Sequence, residues 1–280
     1  MSRGRVAWLV VFAWVAVMGW NARREMFRPE AERLALGAAT LPPGAAYYTL
    51  DAGDRPAGMV SLEIDTLPGR SGFRLLEQVS VRLPGLGAAG EMETRTETWL
   101  GPGVTLDSLE RRSVRGRDTS VIRVRRRGDT LRWEGPSDTT VRRLGGGEAV
   151  QTQMSWPLRF IAAGGGEAGE TRRLTLLDPV SGALREVDLR TVESGTRVFA
   201  DSADTDPASG EWIVAGRDTV RAWRVARSSP GPADRAASPV AAGRSDAWVD
   251  EDGRYVETEW TGGLRMRRTA FELAFFRERR

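Results

Sequence analysis

Three side-chain types are missing from this chain: it has no histidine, cysteine or lysine, so all 41 basic residues are arginine. Without imidazole or thiol there is no serine–histidine relay, no cysteine nucleophile and no zinc site built from nitrogen and sulfur ligands. Without lysine there is no Schiff base and no lysine for a phosphate-binding P-loop. Carboxylate chemistry, tyrosine or binding remains, and we expect a protein that is not an enzyme and holds no metal or cofactor.

A strong surplus of charge is also missing, because the net charge is only +3. The sequence pI near 10.0 reflects the high pKa of arginine rather than an excess of cations. Proteins that bind nucleic acid show a larger and more clustered basic surplus. We therefore expect no nucleic-acid partner.

Long apolar runs are absent except near the amino terminus, where residues 6–20 read VAWLVVFAWVAVMGW. A helix over residues 6–22 would be about 25 Å long, slightly shorter than the ~30 Å hydrocarbon core of a bilayer. We predict a transmembrane signal anchor in residues 1–24, with a cleaved signal peptide as the alternative. The large domain is then expected to be extracytoplasmic, in the periplasm, with the bilayer as a partner through residues 6–22.

The pattern changes along the rest of the chain. We predict that residues 25–44 form a juxtamembrane helix and a linker. The helical pattern itself covers residues 23–36. From residue 45 to residue 280, apolar and polar side chains alternate in short runs, as in Val60, Leu62 and Ile64. We predict a mainly β fold: a large antiparallel curved sheet or incomplete barrel with one or two short helices, preceded by the transmembrane helix.

Several local assignments complete this prediction. Residues 151–163 indicate a helix or a segment that crosses the sheet, and Pro157 would lie in the first turn of such a helix. Residues 228–245, rich in proline, alanine, serine and glycine, predict a flexible loop. The GRDT sequences at 116–119 and 216–219 predict turns. Residues 201–206 predict an exposed acidic loop, and residues 264–276 predict a final strand.

The stretch AWVDEDGRYVETEW, residues 247–260, contains an acidic cluster that could suggest a calcium loop. An EF-hand loop beginning at Asp250 needs glycine sixth and glutamate twelfth, where this chain has Tyr255 and Thr261. The acidic cluster is better explained as a tight Asp-Gly turn before a strand. Glu257 and Glu259 would share one face of that strand, which leaves paired-carboxylate carbohydrate chemistry as the least favoured function.

Arginine is concentrated in residues 111–127, where eight of seventeen residues are arginine. The alternation predicts a hairpin with a charged outer face, and Arg123, Arg125 and Arg127 are candidates for contact with an anionic surface such as lipid. No aromatic residue is interleaved, so the run does not predict a platform for stacking bases.

The order GRDTVRAWRV at 216–225, then a loop, then AWVDEDGRYVETEW and a final pair of strands resembles the bacterial envelope lipoprotein carriers of the LolA and LolB type and related periplasmic β-rich families. The resemblance lies mainly in residues 211–280. It implies an incomplete β-barrel curved around a helix, with an apolar hollow for acyl chains. The predicted anchor and the long loop near 228 depart from that pattern.

These observations favour a membrane-anchored envelope protein that binds a hydrophobic or lipidic ligand, such as an acyl chain, on the concave face of its sheet without chemistry. A structural or protein-interaction module with a solid core, contacting another envelope protein, is the alternative. The side chains predicted to line the ligand site are aromatic: Trp133, Trp156, Phe160, Trp223, Trp248 and Trp260.

Overall fold

The computed structural model describes residues 11–20, 30–67, 72–82, 90–146, 148–228, 245–260 and 263–277. Residues 11–20 form helix α1, whose side chains are exposed. Among the described helices, none combines the length and the apolar character that crossing a bilayer requires. The predicted span at 6–22 includes residues 6–10 and 21–22, and the predicted loop at 228–245 includes residues 229–244; both of these parts lie outside the described residues.

One sheet of fifteen strands dominates the fold, and three further helices accompany it. The strands are β1 Gly44–Ala52, β2 Arg55–Thr66, β3 Phe73–Arg82, β4 Glu91–Gly101, β5 Thr105–Arg115, β6 Asp118–Arg127, β7 Thr130–Glu134, β8 Thr139–Arg143, β9 Val150–Gln151, β10 Thr171–Leu177, β11 Leu184–Thr205, β12 Trp212–Ser228, β13 Ser245–Asp250, β14 Tyr255–Trp260 and β15 Leu264–Thr269. The helices are α2 Glu30–Ala38, α3 Trp156–Ala162 and α4 Phe271–Arg277.

The sheet consists of two meanders that are joined in the middle. Strands β1 to β8 lie side by side in chain order, as do β9 to β15, and β1 pairs with β15. The described pairs are antiparallel except β9 with β10, which is parallel. The predicted mainly β fold with a large sheet is confirmed, and this one parallel pair makes the sheet mixed.

Contacts between distant strands show that the sheet is strongly curved. Gln151 on β9 donates its side-chain amide to the carbonyl oxygen of Val104, in the turn before β5. Nη1 of Arg159 on α3 donates to the carbonyl oxygen of Gly103, 2.7 Å away. Nε1 of Trp133 on β7 donates to the carbonyl oxygen of Pro179, 2.9 Å away, after β10. The two ends of the sheet therefore approach each other, as in an incomplete barrel.

Helix α3 packs into a core that the strands supply for the most part. Alternation along strands such as β2 buries one face, here with Val60, Leu62 and Ile64. Trp156 and Leu158 on α3 are also buried in this core, and Pro157 occupies the first turn of the helix as predicted. Helix α2 packs on α3 at Gly37, where an added Cβ would lie 2.0 Å from the carbonyl oxygen of Ala162.

Two predicted interruptions of the sheet are wrong. Residues 201–206, predicted as an acidic loop, fall almost wholly within β11, and the predicted turn at 216–219 lies inside β12. These strands form a long two-stranded ribbon, in which Gly216 lies opposite Ser202 beside an irregularity in the register. Cross-strand backbone pairing outweighs the turn preference of glycine and aspartate here, whereas the GRDT at 116–119 does form the turn between β5 and β6.

The helices at the two ends of the described domain, α2 and α4, differ from the prediction in their bounds or in their presence. The predicted strand at 264–276 ends at Thr269 and gives way to α4. Phe271 and Phe275 stack with ring centroids 5.4 Å apart, because side chains four residues apart lie on one face of a helix. Ala274 is buried. The juxtamembrane helix predicted within 23–36 is described at Glu30–Ala38, so it continues through Gly37.

Candidate ligand-binding site

Three of the aromatic side chains that were predicted to line the ligand site belong to one packed cluster inside the curved sheet. Trp156 meets Phe160 and Tyr255 edge-on, with ring centroids 6.3 and 5.8 Å apart. Phe160 meets Trp223 in the same way at 6.4 Å. Trp156 and Phe160 are buried and Trp223 is half-buried against the core. This aromatic wall, Trp156, Phe160, Trp223 and Tyr255, fixes α3 against β12 and β14.

The other three predicted aromatic residues are not part of this wall. Trp133 is buried on β7, where a Cβ added at Gly182 would lie 2.8 Å from its ring. Trp248 on β13 is covered by the guanidinium of Arg197, 3.5 Å from its ring centroid. Trp260 ends β14, and its side chain is outside the part that the structure describes. Of the predicted aromatic side chains that the structure describes, Trp156, Phe160 and Trp223 are thus the ones brought together.

A row of polar side chains crosses the concave face beside the aromatic wall. Glu77 on β3 lies opposite Thr96 on β4, which lies opposite Arg111 on β5. Directly paired residues point to the same face, and this face is the buried one, because Leu62 on β2 lies opposite Glu77 and Ile122 on β6 opposite Arg111. We call Glu77, Thr96 and Arg111 the polar row.

The polar row has few partners within the described protein. Nε of Arg111 donates to Oγ of Ser113 at 3.3 Å, and no described carboxylate lies within ion-pair distance of Arg111. The hydroxyl of Thr96 is buried and has no hydrogen-bond partner among the described residues. Glu77 likewise forms no hydrogen bond or ion pair with the described residues. Buried polar groups are normally satisfied, so a row this poorly paired indicates a place for a further molecule.

The surroundings of Glu77 indicate a hollow. Protein encloses its carboxyl, and this burial raises the pKa of Glu77 from its ordinary 4.5 to about 7, although the nearby Arg111 guanidinium acts in the opposite direction. Glu77 nevertheless keeps an intermediate fraction of its accessible surface. A side chain that is enclosed yet accessible lies in a concavity rather than in a filled core.

The aromatic wall and the polar row are neighbours. Burial raises the pKa of the Tyr255 phenol above its ordinary value, and Glu77 is among the charges that add to this rise. The Tyr255 hydroxyl donates to the carbonyl oxygen of Gln153 at 2.6 Å, which fixes the ring. The concave face thus carries an apolar part and a charged part side by side.

Sequence reasoning missed the polar row, although the alternation contains a signal for it. In β3, Leu75, Glu77 and Val79 share one face, so a carboxyl stands in the apolar phase. In β4, the buried residues include three threonines, Thr94, Thr96 and Thr98. Charged residues lie between them in the sequence, on the other face of the strand. A charged residue in the buried phase of a strand is uncommon enough to mark a site.

The acidic turn before β14 is a structural feature. Oδ1 of Asp250 accepts the backbone N–H groups of Asp252 and Arg254 at 3.0 and 2.8 Å, and Gly253 has a φ of +74°. Oδ2 of Asp250 accepts Nη1 of Arg268 at 2.5 Å. Burial raises the pKa of Asp250 despite these favourable contacts. The Asp-Gly turn predicted from the sequence is what the structure contains.

The two glutamates of the paired-carboxylate hypothesis lie on β14. Oε1 of Glu257 accepts Nε and Nη2 of Arg265 at 2.7 and 2.5 Å, and Glu259 is exposed opposite that same arginine. A carboxylate that is half-exposed and paired with arginine is typical of a solvated strand face.

The outer face of β4 to β6 carries a cavity of about 620 Å³ that includes two of the predicted anionic-surface contacts. Its lining includes Leu67, Trp99, Pro102, Glu110, Arg123 and Arg125. Nε of Arg123 donates to Glu110 at 3.0 Å, so its charge is partly compensated. Arg127 ends β6 beside the turn at Gly128 and is not part of the cavity lining.

The fold defined by these contacts is a mainly β, barrel-like one with a concave face. A solved structure from Brucella abortus, a β-barrel-like protein of the domain of unknown function DUF1849, is similar with a TM-score of 0.50 and 12% identity, covering 82% of this chain and 95% of that one. A DUF1089 family protein from Pseudomonas aeruginosa aligns with a TM-score of 0.39 and 10% identity, covering 79% of this chain and 92% of that one.

No protein-family model matches the sequence, and no curated protein matches it. The likeness to the Brucella protein concerns the fold alone, because the identity is only 12%. It supports the prediction of a barrel-like β-rich fold of an uncharacterised kind. It adds nothing specific to lipoprotein carriers.

Proposed function

We propose that this protein is a membrane-anchored binding protein of the cell envelope that holds an amphiphilic, lipidic ligand on its concave face without chemistry. The observation that carries the proposal is the polar row: it is poorly paired, and Glu77 and Arg111 keep intermediate exposure on the concave face, with the buried Thr96 between them. A solid core would exclude or neutralise a carboxyl and a guanidinium at such positions. A ligand with an apolar body and a polar end would satisfy both halves of the face.

The apolar body of the ligand would contact the side chains around the row and the edge of the aromatic wall. Val79 on β3 and Ile122 on β6 flank the row on the same face. Burial of apolar ligand surface contributes about 25 cal/mol per Å² before the cost of ordering the ligand. Trp133 and Trp156, which are tightly packed, act in this proposal as the scaffold of the site rather than as its lining.

The envelope location rests on the sequence. Residues 6–20 are uniformly apolar between arginines, and the described part of this segment, residues 11–20, is helical with exposed apolar side chains such as Phe12 and Trp14. A helix of this kind is covered by lipid or by protein in its working state. Protease accessibility of the large domain in spheroplasts tests the location: protection of the domain inside the cytoplasm would contradict it.

The binding function is tested by native mass spectrometry of the full chain, extracted from membranes with a styrene–maleic acid copolymer instead of detergent. We expect a bound amphiphile and uptake of the neutral fluorophore N-phenyl-1-naphthylamine. The substitution Ser120→Trp places a large ring on the concave face of β6 and should lower both signals, whereas Thr119→Trp on the opposite face should not. An apo mass with no uptake of the fluorophore would contradict the proposal.

A second function is favoured by the outer face. The cavity beside Arg123 and Arg125 and the arginine-rich surface of β5 and β6 would suit an interaction module that contacts an acidic envelope component. Under this function, Arg125→Glu would abolish a protein contact in cells while leaving fluorophore uptake unchanged. Chemical crosslinking in intact cells, compared between wild type and this variant, distinguishes the two.

A further inference from the structure

We propose that the polar end of the ligand is an anionic group, and that the polar row, Glu77, Thr96 and Arg111, receives it. This inference rests on the proposed function and adds the chemistry of the ligand. The shared feature of such ligands is an apolar body with one carboxylate, phosphate or sulfonate group.

Arg111 supplies the positive charge. Its guanidinium carries five N–H donors, of which the described protein uses the Nε–H, toward Ser113. It lies on the half-buried face of β5, whereas its sequence neighbour Arg112 is exposed on the other face. A guanidinium in a partly desolvated concavity with free planar donors is suited to bidentate contact with a carboxylate or phosphate.

Glu77 extends the row, and Thr96 lies buried between its two accessible members. The Thr96 hydroxyl lies between the other two side chains and has no partner among the described residues. Glu77 lies two strands from Arg111, about 10 Å by sheet spacing. That separation explains why the two do not form an ion pair in the structure, so both can act on a ligand group that lies over Thr96.

The protonation state of Glu77 determines whether it helps or opposes an anion. The charged group that acts on its carboxyl is Arg111 on β5, and Glu77 in turn acts on the Tyr255 phenol on β14, while Leu62 and Thr96 opposite it carry no charge. With a pKa of about 7, Glu77 is mostly protonated at pH 6 and then offers an O–H donor. At pH 8 it is mostly a carboxylate and repels an anion.

A cationic ligand is the competing possibility, with Glu77 as its acceptor. Arg111 opposes it, because a guanidinium near the same hollow repels a second cation. Burial also favours the neutral form of Glu77, which removes the attraction for a cation near neutral pH. The row therefore favours an anion over a cation.

The test compares two fluorophores that share one ring system, bound to the full chain. The anionic probe is 1-anilinonaphthalene-8-sulfonate, and the neutral probe is N-phenyl-1-naphthylamine. We expect Arg111→Gln to weaken the sulfonate at least about tenfold, the effect of losing a charge-assisted hydrogen bond, and to leave the neutral probe within about twofold. The matched control Arg112→Gln, on the exposed face, should change neither.

The pH dependence provides an independent readout, because a sulfonate does not titrate near neutral pH. Affinity for the sulfonate should fall up to about tenfold from pH 6 to pH 8 as Glu77 ionises. Glu77→Gln should abolish this dependence and keep tight binding at pH 8, whereas the exposed control Glu93→Gln should behave as wild type. Competition by dodecanoate and by dodecyl phosphate then shows whether a carboxylate or a phosphate is preferred.

The outcomes separate this inference from the proposed function. If the neutral probe binds but the sulfonate is unaffected by Arg111→Gln, or if a cationic probe binds more tightly, the anion inference is overturned and the binding function stands. If neither probe binds, the binding function fails as well. If Arg111→Gln and Arg112→Gln weaken the sulfonate equally, the anion is held by surface charge and not by the polar row.

Discussion

The carboxylate of Asp250 accepts a hydrogen bond from Nη1 of Arg268 at 2.5 Å, and the Asp250 side chain is only 1% exposed. The same carboxylate accepts two backbone N–H groups of the turn that enters β14. One side chain thus ties together the turn and the last strand, which pairs with β1 at the centre of the sheet. The acidic turn stabilises the join between the two meanders.

Asp250→Asn should therefore destabilise the protein strongly. The amide can still accept backbone hydrogen bonds, but the guanidinium of Arg268 would be left buried without its counter-charge. We expect a loss of about 3 kcal/mol in the free energy of unfolding, measured by urea denaturation. Asp252→Asn is the control, because Asp252 is more exposed and its pair with Arg254 is 3.4 Å long. Equal losses in the two variants would contradict this account of the turn.

Gly37→Ala should separate helices α2 and α3. The added methyl group would lie 2.0 Å from the carbonyl oxygen of Ala162, which is backbone and cannot move aside as a side chain does. We expect a loss of about 1–3 kcal/mol in stability by urea denaturation. Gly195→Ala in β11 adds the same methyl group where nothing lies within 4 Å, so it should be tolerated.

The hydrogen bond between Trp133 and Pro179 should hold the two ends of the curved sheet together. Trp133→Phe removes the Nε1–H donor while keeping an aromatic ring, and we expect a loss of about 1 kcal/mol. Hydrogen exchange should become faster in the turn between β10 and β11 and stay unchanged in β1 and β2. Unchanged exchange in that turn would show that the contact does not close the barrel.

Glu77 should make stability depend on pH. Its folded-state pKa of about 7 is above the ordinary 4.5, so its contribution to stability is fully present below pH 4.5 and is lost as the pH rises through 7. The loss amounts to at most about 3 kcal/mol. The difference in unfolding free energy between wild type and Glu77→Gln should therefore shift in favour of the variant between pH 5 and pH 8. A difference that does not change with pH would mean that the carboxyl is well solvated.

Strand positions with one buried face could be predicted from the sequence. Val60, Leu62 and Ile64 alternate with polar residues and do form the buried face of β2. The helix begun by Trp156 and Pro157 followed from its local sequence as well. In each case the local preference and the burial pattern agree.

The sequence predicts strands at 183–191, 211–216 and 219–226, but the continuous course of the β11–β12 ribbon through residues 201–206 and 216–219 could not be predicted, because much of the ribbon is exposed on both faces. Its glycine and aspartate residues suggest turns, and only the pairing partner, which is distant in the sequence, makes them strand residues. The polar row was missed for a related reason. Only Glu77 carries a signal in its own segment, as a charged residue in the buried phase of β3, and Glu77, Thr96 and Arg111 become a site only through the register of three strands.

Thiol accessibility at position 77 tests the central claim most directly, and the absence of native cysteine makes the measurement clean. In Glu77→Cys, we predict that methyl methanethiosulfonate modifies the thiol in the folded protein and that bound N-phenyl-1-naphthylamine slows the reaction. Leu62→Cys, opposite on the same face but 1% exposed, should react only on unfolding. If the thiol at position 77 also reacts only as fast as the protein unfolds, the concave face is filled and the binding account is contradicted.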